Sequence, residues 1–255
     1  MNRIAIEIAG LPIYWYGIMF AAGIAIGIWT GSKRAAISGK ITPKQFLDAT
    51  PWIVLGTIIG ARALFVFTYW NEYFAGKSLM EIFDLRGGGL VFFGGFILTV
   101  ILLAIYLAKN RISAFAFLDV TAPSLAIGHA IGRIGCFING CCYGAVTNCP
   151  LGVHYPEWHE THGVAVHPVQ LYESALNLLL YGTLEYLFRK KHRFDGQITA
   201  LYFMGYGVIR MITECFRGDV PNVLWNLSQA QCIAISVFLI GLGMFLWKMP
   251  KSKGN

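Results

Sequence analysis

The sequence predicts an all-α integral membrane protein with seven transmembrane helices, an external N-terminus and a cytoplasmic C-terminus. Three observations lead there. Of the 255 residues, 56% are hydrophobic and only 13% charged, and the mean hydropathy is +0.58. Soluble domains carry about 25% charged residues, so this chain lacks the charge to coat a water-facing surface. Seven apolar segments approach the roughly 20 residues that a helix needs to cross the hydrocarbon core. Lysine and arginine crowd the loops on one side of those segments. So apolar a chain does not stay disordered. The net charge of +7, from 20 Lys and Arg against 13 Asp and Glu, would suit nucleic acid only as a basic face or stripe. Here the basic residues form short clusters between apolar runs, and no nucleic-acid partner is expected.

The spans fall in order at about 13–31, 46–69, 90–108, 113–135, 169–188, 197–216 and 228–247. The first has no basic stretch before it and no small-residue cleavage site, so it reads as a retained helix, not a signal peptide. Lys33, Arg34, Lys40 and Lys44 follow it, and Lys109 and Arg111 follow the third. Arg189, Lys190, Lys191 and Arg193 follow the fifth, and Lys248, Lys251 and Lys253 the seventh. The opposite side has Arg3, Lys77, Arg86 and Arg217, and this bias sets the orientation. The longest outer loop, 136–168, has no Lys or Arg but carries Cys136, Cys141, Cys142 and Cys149 with His154, His159, His162 and His167. That content places the chemistry near the outer face. No repeat or soluble insertion interrupts the pattern, and 1–255 is expected to form one transmembrane domain.

Charged or titratable groups inside the spans are Arg62, Asp119, His129, Arg133, Glu173, Glu185, Arg210 and Glu214. Each charge near the bilayer centre costs about 2.5–3.5 kcal/mol, so these groups should face the bundle interior. Glu185 lies one turn from Arg189, and an ordinary helical pair or snorkelling explains it. Arg210 and Glu214 share a helix face. They form a structural pair, or Glu214 steadies Arg210 while its fork meets the oxygens of a phosphate. Arg133 has the same two readings, and His129, one turn earlier, is a packing residue or a base. His167-Pro168 opens the fifth span with Pro in the first turn. Gln170 and Glu173 then project to one side. Glu173 needs Arg62, Arg133 or Arg210 as a partner, or it stays protonated.

Gly87-Gly88-Gly89 and Gly94-Gly95 bring backbone close to a neighbouring helix or a ligand. The C-x4-C-C-x6-C spacing lacks the C-x2-4-C pairs of zinc sites and faces an oxidising compartment. Disulfides or inert thiols are expected there, and no metal.

The run Gly132-Arg133-Ile134-Gly135-Cys136-Phe137-Ile138-Asn139-Gly140-Cys141-Cys142-Tyr143-Gly144 resembles the signature of the bacterial prolipoprotein diacylglyceryl transferase family. Further stations resemble the family in the same order: Trp15-Tyr16-Gly17, Gly60-Ala61-Arg62, Phe93-Gly94-Gly95, His167 through Glu173, and Arg210 through Arg217. The resemblance implies a seven-helix enzyme of the bacterial inner membrane with its active site towards the periplasm. It implies transfer of the diacylglyceryl group of phosphatidylglycerol to the lipobox cysteine of a prolipoprotein signal peptide, with release of glycerol phosphate and no cofactor. It places the lipid head group at Arg133 and Arg210, with Tyr16, Asn139, Gly144 and Glu214 at functional positions. Arg62, Gly94, Gly95, Gln170 and Glu173 join the lipid-binding set. Cys136, Cys141 and Phe93 stand where many members carry Asn, an acidic residue and His.

That chemistry suits the residues. A phosphate leaving group needs cations, and the thiolate, not the thiol, is the nucleophile, so a base is required. Tyr16, His129 and Glu173 are its candidates. The nucleophile arrives with the peptide, so the enzyme needs none of its own. The rival readings are a paralogue acting on another thiol or lipid, and a transporter whose buried charges line a path. No matching inverted halves support the latter.

Overall fold

Each of the seven apolar runs folds as one long helix. The computed structural model describes residues 4–8, 11–84, 88–217, 222–224 and 227–249. Arg3, Arg86, Gly87, Lys251 and Lys253, used above, lie outside them. The helices are α1 (Trp15–Ser38), α2 (Pro43–Thr68), α3 (Phe92–Lys109), α4 (Ala114–Asn139), α5 (Val169–Lys190), α6 (Gln197–Glu214) and α7 (Gln229–Lys248). Three two-stranded antiparallel hairpins accompany them: β1 (Ile4–Ile8) with β2 (Leu11–Tyr14), β3 (Val153–His154) with β4 (Ala165–Val166), and β5 (Asn222–Leu224) with β6 (Leu227–Ser228). The first helix runs about two turns further than the apolar pattern suggests, so Lys33 and Arg34 lie on it and not in the loop after it.

Among the described residues five helices, α1, α2, α3, α4 and α7, are long and apolar enough to cross a membrane. Their large apolar side chains point outward: Trp29, Phe96 and Leu239 are all more than half exposed. Small residues take many of their buried positions, as with Gly23, Gly27 and Gly31 of α1. This is a membrane protein. The helices α5 and α6 are more polar because they carry the inward charges and amides. Gln170, Glu173, Ser174 and Asn177 of α5 are all buried.

The chain divides into two compact units, residues 1–37 with 118–255, and residues 38–117. In the smaller unit, Thr42 and Gln45 form a capping box that starts α2, with Pro43 in the first turn. There α2 and α3 meet backbone to backbone at Gly60 and Gly94, and Thr57 and Thr99 hydroxyls share a 3.0 Å hydrogen bond. In the larger unit, Gly23 of α1 lies against Gly128 of α4, and Gly207 and Gly241 let α6 and α7 close on each other. Ser228 and Gln231 form the capping box of α7.

One buried charge of the larger unit is structural. The Asp119 carboxylate accepts hydrogen bonds from Gly196 N (2.8 Å), Thr199 N (2.9 Å) and Thr199 Oγ1 (2.8 Å), and His192 Nε2 lies 2.9 Å away. Gly196 is the N-cap of α6, so Asp119 satisfies the open amides at that helix's positive end.

Candidate active site

Helix α5 brings Glu173 to the centre of the larger unit, almost wholly buried at 1% side-chain exposure. Two arginines and a histidine from two neighbouring helices meet it. His129 Nε2 of α4 lies 3.0 Å from Glu173 Oε1, and Arg133 Nε lies 3.0 Å from Oε2. Arg210 Nη1 of α6 lies 3.7 Å from that same Oε2. One turn apart on α4, His129 and Arg133 also touch, with Nε donating to Nε2 at 3.2 Å. Glu173 thus finds its partners in Arg133 and Arg210, two of the three arginines that the sequence offered.

The second carboxylate steadies Arg210 from the other side. Glu214 Oε2 lies 2.9 Å from Arg210 Nη2, and Ser228 Oγ donates to Glu214 Oε1 at 2.8 Å. The sequence reading overlooked Ser228, although the S-x-x-Q start of the seventh apolar run is a capping signal. Arg210 Nη1 is buried and has no hydrogen-bond partner. Arg133 meets its neighbours through Nε, which leaves both terminal nitrogens outside these contacts. The carboxylates roughly balance the guanidinium charges, yet donors remain for an incoming anion.

The run from Gly132 to Gly144 contains Arg133 of this cluster and continues past the end of α4. At the end of α4, Gly140 N donates to Phe137 O and Cys141 N to Cys136 O, both at 3.1 Å, with Gly140 at φ +76°. This is the paired closure of a left-handed helix cap. It folds the chain back so that Cys141 stands beside Cys136. The next residue, Cys142, also takes a positive φ of 61°. All six cysteines are free thiols, and the Sγ atoms of Cys136, Cys141 and Cys142 lie within 4.8 Å of one another. Hydrogen bonds from the Cys136 and Cys141 thiols, with Arg133 and Arg217 nearby, hold the Cys142 thiol well below its ordinary range. Asn139 Nδ2 approaches Cys141 Sγ at 3.6 Å.

The remaining expected residues brace the loop. Gln170 Nε2 donates to Cys141 O at 2.7 Å and to Tyr155 Oη at 3.2 Å. Burial pushes the Tyr155 hydroxyl up, against the opposing effect of that bond. His159 Nε2 lies 2.7 Å from Gly140 O. Gly144 donates its N–H to His167 O at 2.8 Å, and a Cβ there would stand 2.5 Å from Phe216 O. Tyr16, at the start of α1, lies over Gly135 with its side chain partly exposed.

Arg62, Gly94 and Gly95 belong to the smaller unit. Arg62 donates to four backbone carbonyls there, those of Ile82, Glu81, Gly88 and Gly89, at 2.7–3.1 Å. It lines a cavity of about 360 Å³ with Phe65, Tyr73, Phe74, Lys77 and Glu81. Gly94 and Gly95 pack on Gly60 and Thr57 of α2. The larger unit has an apolar furrow of about 390 Å³ between α5, α6 and α7, lined by Leu180, Leu184, Leu187, Met204, Gly205 and Phe238 among others.

The family model for prolipoprotein diacylglyceryl transferase matches residues 3–247. The chain belongs to that family. It is 37% identical over 242 residues to the phosphatidylglycerol–prolipoprotein diacylglyceryl transferase of Finegoldia magna, covering 95% of this chain and 94% of that one. The enzymes of the same name from Bordetella parapertussis and Clostridium tetani are 34% and 33% identical, covering 97% and 96% of this chain and 95% and 97% of theirs. The matched residues include the cap of α4 and the Arg133–Glu173–Arg210 cluster.

Proposed function

We propose that Arg133 and Arg210 grip the phosphate of phosphatidylglycerol while its diacylglyceryl group passes to the lipobox cysteine of a prolipoprotein. The chain is a transferase by family. The observation that carries the site assignment is the convergence of two guanidinium groups, from α4 and α6, on one buried carboxylate, with Arg210 Nη1 left unbonded. In the reaction the acceptor thiolate attacks the glyceryl carbon, and the carbon–oxygen bond to phosphate breaks. The electron pair stays on the departing glycerol phosphate, where preorganised cations count most. Glu173 and Glu214 orient the arginines, and His129 accepts a hydrogen bond from Arg133 Nε. Asn139 and Gly144 shape the loop that closes over the head group, and Tyr16 lines the acceptor side. The furrow that starts at Leu180, two turns along α5 from Glu173, takes an acyl chain.

In this reading α5 and α6 complete a set of seven spans, because their polar residues face inward and lipid meets only their apolar sides. The Lys and Arg bias puts the N-terminus and the 136–168 loop in the periplasm and the C-terminus in the cytoplasm. The enzyme sits in the inner membrane, and both units act as one transferase domain, as a family match spanning both supports.

The test is mass spectrometry of a lipobox peptide incubated with purified protein and phosphatidylglycerol. A diacylglyceryl mass increment that vanishes with Arg133→Ala and with Arg210→Ala supports the site. Lipid binding without an increment, or an increment indifferent to both substitutions, overturns it.

A further inference from the structure

Cys136, Cys141 and Cys142 do more than fill space beside the arginines. The left-handed cap at Gly140 sets Cys141 against the last turns of α4, where Cys136 stands. Adjacent side chains ordinarily diverge. The positive φ at Cys142 turns its thiol back to the same side, so three sulfurs gather within 4.8 Å of one another. Thiolates around a tetrahedral zinc-type ion, at about 2.3 Å from it, stand about 3.8 Å apart. Small side-chain rotations close that difference. Spacing along the chain argued against a metal here; the folded cap supplies what the spacing lacks.

We propose that Cys136, Cys141 and Cys142 form a trithiolate site for a zinc-type divalent cation, whose fourth position receives the acceptor cysteine. Three protein ligands and one open position are the pattern of catalytic zinc sites, whereas structural sites fill all four. Three thiolates and a divalent ion leave one negative charge, and Arg133, one turn before Cys136 on α4, stands to offset it. Cys142 is exposed, so the open side faces outward.

The function of the fourth position rests on the transferase reading. Coordination deprotonates a thiol outright, and its proton passes to water. The bound thiolate then forms the sulfur–carbon bond as the carbon–oxygen bond to phosphate breaks. The thioether product carries no charge and is a weak ligand, so it leaves. The geometry is one turn from Arg133, which holds the leaving group.

Cobalt(II) tests this on the reduced, detergent-purified full chain. We expect one cobalt per chain and a thiolate-to-cobalt charge-transfer band. The band should disappear in Cys136→Ala, Cys141→Ala and Cys142→Ala and persist in Cys149→Ala. A lipobox peptide should shift the ligand-field bands, and the same peptide with Ser for Cys should not. No charge-transfer band, a band unaffected by the three substitutions, or equal shifts from both peptides overturns the inference. Separately, metal-free protein that transfers at full rate overturns the inference and leaves the transferase reading intact. Protein that transfers nothing, with or without metal, overturns the transferase reading whatever the cobalt spectrum shows.

Discussion

Glu173 Oε2 stands 3.0 Å from Arg133 Nε, inside a shell where the carboxylate is 1% exposed. Removing one partner of such a buried pair costs about 3–5 kcal/mol, because the other charge is left uncompensated. Glu173→Leu should therefore lower the unfolding temperature in detergent well below that of the native chain. Glu173→Gln keeps the shape and loses the charge. It should fold, yet turn over about 10²-fold more slowly, the scale set by a misplaced reacting group. Native turnover in Glu173→Gln would remove Glu173 from the positioning of Arg133 and Arg210.

Arg210→Lys replaces a planar fork with a point charge. Glu214 would still pair with it, so thermal unfolding should stay close to native. The unbonded Nη1 would be gone. Loss of one preorganised donor to a developing oxyanion costs about 10²–10³ in turnover, and a fall of that size is expected in the peptide assay. Unchanged turnover would defeat the phosphate role.

The seven helices were legible because apolar runs of membrane length have few other readings, and each run became one helix. The Arg210–Glu214 pair was legible too, since four-residue spacing on a helix fixes a shared face. Glu173 was singled out as a carboxylate in need of an arginine. Which arginine was not legible: Arg133 is 40 positions away and Arg210 is 37, and only tertiary packing decides among such candidates. The gathering of Cys136, Cys141 and Cys142 was hidden for a related reason. Motif spacing assumes ordinary backbone, and positive φ at Gly140 and Cys142 breaks that assumption. Asp119 looked like a membrane-buried charge, and its role as a helix cap depends on Gly196, 77 residues on.

Two signature glycines should behave oppositely. A Cβ on Gly144 would stand 2.5 Å from Val169 Cγ2 and 2.5 Å from Phe216 O, a backbone atom that cannot move away without its loop. Gly144→Ala should lose both thermal stability and transfer. Around Gly132 nothing lies within 4 Å, and in a helix interior Ala is favoured over Gly by about 1 kcal/mol. Gly132→Ala should unfold at or above the native temperature. If it folds so and transfers poorly, the open space beside it belongs to a ligand.

The strongest structural charge lies away from the chemistry. Arg34 is fully buried on α1, with Nη1 2.7 Å from Glu185 Oε2 and Nε donating to Val120 O at 2.9 Å. Its Nη2 also bonds the Ser124 hydroxyl. The sequence offered Arg189 as the partner of Glu185, and that pair exists at 2.7 Å, but the Arg189 side chain is 43% exposed. The two bonds should differ in worth although their lengths match. Arg189→Ala removes a solvated partner and should cost under about 1 kcal/mol. Arg34→Met leaves Glu185 with only the solvated Arg189 as partner and should cost more than Arg189→Ala, while Arg34→Met with Glu185→Leu should recover much of that loss, because an apolar pair needs no compensation. Thermal unfolding of the three variants in one detergent measures this. A double variant no more stable than Arg34→Met would mean that the hydrogen bonds to Val120 and Ser124, and not the ion pair, hold α1 against α4 and α5.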